Sequence, residues 1–137
     1  MKIITDRAAN LSREEEQEHK LIVAPLYIQF PEGEEDSSNM EPDELYDRLE
    51  AMKPLIPTTA QPSSGSFKEL FEQTAGPDED ILAIHLSEGL SGTIQSSRLG
   101  AEQSSNKKVT VFDSKTLSGG QRFQVLAAAL ASRAGWL

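Results

Sequence analysis

At 137 residues the chain has the length of one domain and enough material to bury a core without metal or disulfide support. A formal charge of -9 with no clustered Lys/Arg footprint argues against a nucleic-acid partner. The absence of cysteine removes disulfides, thiolate metal sites and a Cys nucleophile and fits a reducing compartment, while His19 and His85 alone offer too few ligands at suitable spacing for zinc.

The chain opens on a strand-like apolar run, residues 2–5, without the charged-then-apolar order of a secretion signal. No apolar stretch approaches the ~20 residues that span a bilayer. A soluble, cytoplasmic protein is therefore expected. Ser12 and Glu15 then stand in the S-x-x-E spacing that lets each satisfy the other's free backbone amide at a helix start. Residues 21–30 form a second apolar run, read as one strand. The acidic runs 14–18 and 32–36 read as solvated surface.

Pro42 suits the first turn of a helix on which Leu45, Leu49 and Met52 recur at i, i+4 and i+7. Residues 57–61 read as a rigid loop, and after Pro62 a further helix carries Phe67, Leu70, Phe71 and Thr74 on one side. Residues 81–86 form a strand with His85 inside it, where a structural role is expected. A helix follows from about Ser91 to Ser104, then a strand over 109–112. A last helix over 117–133 carries Phe123, Leu126 and Leu130 along one side. Continuous rather than alternating strands, separated by helices, predict a three-layer α/β/α sandwich with a mainly parallel sheet. Trp136 and Leu137 remain apolar and unexplained at the end, as if a longer polypeptide had been cut there.

Ligands of such sheets sit beyond the carboxyl ends of the strands. Small hydroxyl residues and glycine collect at those positions: Thr5-Asp6, Thr58-Thr59, Ser91-Gly92-Thr93 and Asp113-Ser114. Free amides at a helix N-terminus, aided by hydroxyls, suit a carboxylate or a phosphate. The same residues also serve as ordinary helix caps. No nucleophile, base and orienter assemble along the sequence. The segment from Leu117 matches the LSGGQ signature of ABC-transporter ATPases, but no Gly-Lys pair exists to build a phosphate loop.

Thr5-Asp6, Pro25-Leu26, PTTAQPS at 57–63, IHLSEGLSGTIQSS at 84–97 and VFDSKT at 111–116, in this order, resemble the DegV family over nearly the whole chain. The resemblance implies the amino-terminal domain of a two-domain carrier that holds a long-chain fatty acid and does no chemistry on it. The chain then ends before the second lipid-binding domain. Thr59 and Ser91 match the family's carboxylate-binding positions, and Thr58, Gly92, Thr93, Asp113 and Ser114 are further head-group candidates. The implied partner is a fatty acid kinase, which phosphorylates the presented carboxylate, with no cofactor beyond the bound lipid and no metal. Apolar surface left bare without the second domain would favour a homodimer.

Two motifs depart from the family pattern, at three positions: the T-D-S-T opening reads Thr5-Asp6-Arg7-Ala8, and the Ser after the paired threonines is Ala60. Arg7 is expected to face water or to pair with a carboxylate or a kinase surface. Two other readings stand beside the carrier. One is a dihydroxyacetone-kinase-like substrate domain, which needs an exposed His85, and the other is an interaction domain that has lost its ligand.

Overall fold

A computed structural model describes residues 1–136; Leu137 lies outside the described residues. In chain order the elements are β1 (Lys2–Asp6), α1 (Arg13–Glu18), β2 (Ile22–Ala24), β3 (Tyr27–Phe30), β4 (Gly33–Asp36) and α2 (Pro42–Ala51). They continue with β5 (Thr58–Ala60), α3 (Ser64–Thr74), β6 (Ile81–His85), α4 (Thr93–Gln103), β7 (Val109–Asp113) and α5 (Ser118–Arg133). The chain divides into two compact units, one of residues 1–24 and 62 onward, the other Pro25–Gln61.

The first unit is built on a four-stranded parallel sheet in the order β2-β1-β6-β7. Ile4, Ala24, Ile81 and Ala83 face Phe67 and Phe71 of α3, with Ala101 of α4 beside them. On the opposite face Ile3 and Ile84 meet Val125 and Ala129 of α5. Helices thus cover both faces, as the continuous apolar strands require. Burying each of the two phenylalanines contributes roughly 1.5–3 kcal/mol. Where α3 and α4 cross, a Cβ on Gly100 would lie 2.7 Å from Phe67 Cβ and 2.8 Å from the Ser64 carbonyl, so only glycine lets the helices approach this closely. At α1 the expected reciprocal cap is present: Glu15 N–H donates to Ser12 Oγ (3.1 Å) and Ser12 N–H to Glu15 Oε2 (3.0 Å).

The last helix is oriented differently from its apolar pattern. Its buried side carries Gln121, Val125 and Ala129, whereas Phe123 and Leu130 are 70% and 55% exposed. Small residues and a hydrogen-bonded glutamine fit close against the sheet, and the larger side chains are left outside.

The second unit holds a three-stranded antiparallel sheet, β4-β3-β5, with α2. Three expectations change here. Residues 21–30 are two strands in two sheets, because Pro25 has no N–H to continue a ladder. Within the acidic run, Gly33–Asp36 is a strand paired with β3, not merely solvated surface. Thr58–Ala60, expected as a loop, pairs with Tyr27–Gln29 through Tyr27↔Ala60, Ile28↔Thr59 and Gln29↔Thr58. The Arg48 guanidinium lies 3.7 Å over the Phe30 ring and donates to Glu32 (2.6 Å) and Glu35 (2.8 Å), which tethers α2 to the acidic hairpin.

Candidate functional site

In the first unit the carboxyl ends of β1, β6 and β7 bring together Asp6, His85 and Asp113 with the loops that follow. Asp6 stands at the centre. Its Oδ2 accepts from His85 Nδ1 (3.0 Å) and Leu86 N–H (3.0 Å), and its Oδ1 from Ala8 N–H (3.0 Å) and Gln121 Nε2 (3.0 Å). Gln121 Nε2 also reaches Thr5 Oγ1 (3.0 Å). Burial alone would raise the Asp6 pKa, but the hydrogen bond and charge of His85, then Gln121 and the Leu86 amide, outweigh it and hold the carboxyl below its usual range.

An ionised carboxylate only accepts, so Nδ1 of His85 carries the proton on that side. The opposite nitrogen, Nε2, lies 2.8 Å from Ser97 Oγ. Aspartate, histidine and serine in this order are the parts of a hydrolytic triad. His85 and Ser97 are both 0% exposed, however, so no substrate reaches the hydroxyl. The same burial removes the exposed imidazole that a ketone-capturing substrate domain needs. The cluster instead ties β1, β6, α4 and α5 together beneath the loops.

Above it, Ser91 Oγ accepts from Thr93 N–H (3.2 Å) and shares a hydrogen bond with Thr93 Oγ1 (2.9 Å). Gly92 is the N-cap of α4 and gives no side-chain cap, so the first turn presents backbone without an obstructing side chain. Ser91 is half-buried and Thr93 buried. Asp113 Oδ1 accepts Lys115 N–H (2.8 Å) within its own turn, and Ser114 Oγ accepts Thr116 N–H (3.3 Å). The Lys115 amide holds the Asp113 carboxyl below its usual range, so it is a fixed negative charge.

Thr58 and Thr59 belong to the other unit, both exposed on β5. Thr58 Oγ1 donates to Gln29 Oε1 (3.1 Å). Arg7 is not left to water: it pairs with Glu16 at 3.0 Å. Sequence alone does not single out Ser97 or Gln121, and it gives His85 a structural role without its partners. Their only signal is a polar residue inside an apolar pattern, and Gln121 was further hidden within LSGGQ.

The chain matches the family model described as "Uncharacterised protein, DegV family COG1307" over residues 1–136. The chain belongs to the DegV family. Among curated DegV domain-containing proteins, one from Listeria innocua is 36% identical over 137 residues, which covers 98% of this chain and 48% of that protein. One from Lactococcus lactis is 33% identical over 135 residues, again 98% of this chain and 48% of the relative. This DegV chain thus spans about half the length of both. A 15.5 kDa DegV domain-containing protein of Staphylococcus aureus is 35% identical over 124 residues, 90% of this chain and 86% of that protein. Among solved structures, DegV of Bacillus subtilis, described as a fatty acid binding protein, superposes with a TM-score of 0.88 at 28% identity, covering 98% of this chain and 48% of that one. A Thermus thermophilus DegV family protein, described by its fatty acid binding, gives 0.86 at 27% identity over the same shares of the two chains.

Proposed function

We propose that this chain contributes to binding a long-chain fatty acid as the amino-terminal part of a carrier, with Ser91 of the first unit and Thr59 of the second each a candidate for holding the carboxylate. The observation that carries this reading is the Ser91–Thr93 hydroxyl pair at the start of α4, in a fold shared with proteins described as fatty acid binding. Gly92 allows close approach to backbone, and Thr58 and Thr93 are further head-group candidates. Asp113 and Ser114 have an indirect part, shaping the adjacent turn. The acyl tail provides affinity at about 0.8 kcal/mol per buried methylene, and each charged hydrogen bond adds roughly 1.5–3 kcal/mol. In this reading the remaining half of a full-length relative supplies a second lipid-binding domain. The carrier performs no catalysis and presents the carboxylate to a fatty acid kinase, which supplies the ATP site.

Mass spectrometry of organic extracts from the purified chain and from a full-length relative tests the proposal, together with titration of added oleate. A co-purifying fatty acid is expected in at least one of them. Empty extracts with no oleate binding to either would return Ser91 and Thr59 to ordinary capping and strand roles. Ser91→Ala should weaken oleate binding about tenfold or more, the equivalent of roughly 1.5–3 kcal/mol, with little change in the thermal midpoint. Unfolding of this variant would make Ser91 structural instead.

A further inference from the structure

We propose that the open edge of β7 is a self-association surface, on which two copies of this chain pair their β7 strands antiparallel about a two-fold axis at Val111. Among the described residues no strand pairs with the outer side of β7. Edge strands left open are usually blunted by charge, proline or a bulge; β7 has no proline or bulge, and its charges stand only at its ends, Lys107-Lys108 before it and Asp113 as its last residue.

The backbone directions fix the register. The Lys108 carbonyl accepts from Ile81 N–H (3.0 Å) and Ser114 N–H donates to the His85 carbonyl (3.0 Å), so even-numbered backbone groups face β6. Successive residues of a strand alternate sides, which leaves Val109, Val111 and Asp113 with N–H and C=O directed at the open edge. A two-fold at Val111 pairs Val111 with its copy and Val109 with Asp113, and every outward group of both strands then finds a partner. The ends are also complementary in charge. The amino-terminal end of β7 carries Lys107 and Lys108, and the carboxyl end carries Asp113. Lys107 of one copy becomes the diagonal, same-face neighbour of Asp113 of the other, within reach of a long side chain. In the single chain Asp113 Oδ2 is buried with no donor at full hydrogen-bond geometry; its nearest cation is Lys115 Nζ at 3.6 Å, and the Glu88 amide also stabilises the carboxylate. Lys107 Nζ gives two of its three donors to the Glu102 and Ser104 carbonyls, so one is free for that oxygen.

Beside this edge runs an apolar groove of about 550 Å³, lined among others by Ile84, Phe112, Ala127 and Ala131. Phe112 is 50% exposed there. The two-fold sets both grooves against each other and places Phe112 opposite Thr110 of the second copy. An isologous contact of this kind closes at two copies. The inference rests on β7 and α5 alone and is independent of lipid binding.

The test is sedimentation of the 137-residue chain together with a cysteine crosslink. Wild type should sediment at twice its mass of 15.0 kDa. Val111→Pro removes an outward amide together with some of the Val111 packing against the core, and should sediment as a single chain with its far-UV circular dichroism retained. The chain has no cysteine, so Val111→Cys should form one intermolecular disulfide on oxidation, as Glu69→Cys on α3 should not. Wild type that remains a single chain at every concentration overturns the proposal. So does a Val111→Cys chain that forms no disulfide.

Discussion

The two units are held by different physics. Residues 25–61 carry nine acidic side chains against Arg48 and Lys53, which is -7 of the chain's formal -9, yet they make up the smaller unit. No residue of α2 is buried, and the guanidinium of Arg48 clamps the acidic hairpin at the surface. The first unit is nearly balanced in charge and is held from within, by two apolar layers and a buried carboxylate with four donors. A surface clamp is open to salt and solvent, whereas a buried cluster is not. Perturbations should therefore separate the two units.

The largest effect should come from Asp6→Ala, which leaves His85, Gln121 and two backbone amides without their acceptor. A loss of about 3–5 kcal/mol in the first unit is expected by urea unfolding. The same carboxyl sets an acid limit. Its pKa is lowered by folding, so its contribution is complete above the usual carboxylate range and is lost as pH falls below about 4. Wild type should lose stability over that interval, and Asp6→Ala should show a flatter acid limb. Gly100→Ala comes next. Its new methyl meets Phe67 and the α3 backbone, for an expected cost of about 1–3 kcal/mol, with Gly119→Ala, whose added Cβ has nothing within 4 Å, as the mild control. The smallest effect should come from Arg48→Gln. Hydrogen exchange at β4 amides should accelerate while β1 and β6 remain protected, and added salt should narrow the gap from wild type. Equal acceleration in both units would defeat the contrast.

The sequence made the first unit legible because its strands are continuous apolar runs and its helices carry explicit punctuation, such as Ser12 with Glu15. It concealed the second unit for a physical reason. Residues 21–30 stay apolar across the change of sheet, so only Pro25 marks the break. Glu34 and Glu35 lie in a strand through hairpin pairing, which hydropathy does not record. Likewise the Asp6, His85, Ser97 and Gln121 cluster depends on contacts as distant as 115 positions, and no local pattern carries it. The Ser91–Thr93 turn was legible because its hydroxyls and glycine are adjacent in the chain.

The reciprocal cap at α1 has a bearing on the timing of folding. Glu15, half of that cap, is also gripped by Arg122 of α5, which holds its carboxyl pKa at about 2. A helix of six residues is too short to persist alone in water. Helix α1, synthesised well before α5, thus waits for a residue 107 positions later before it is secured. Pulse-labelled exchange during refolding should find residues 13–18 protected no earlier than α5. Early protection there would mean that the local cap suffices.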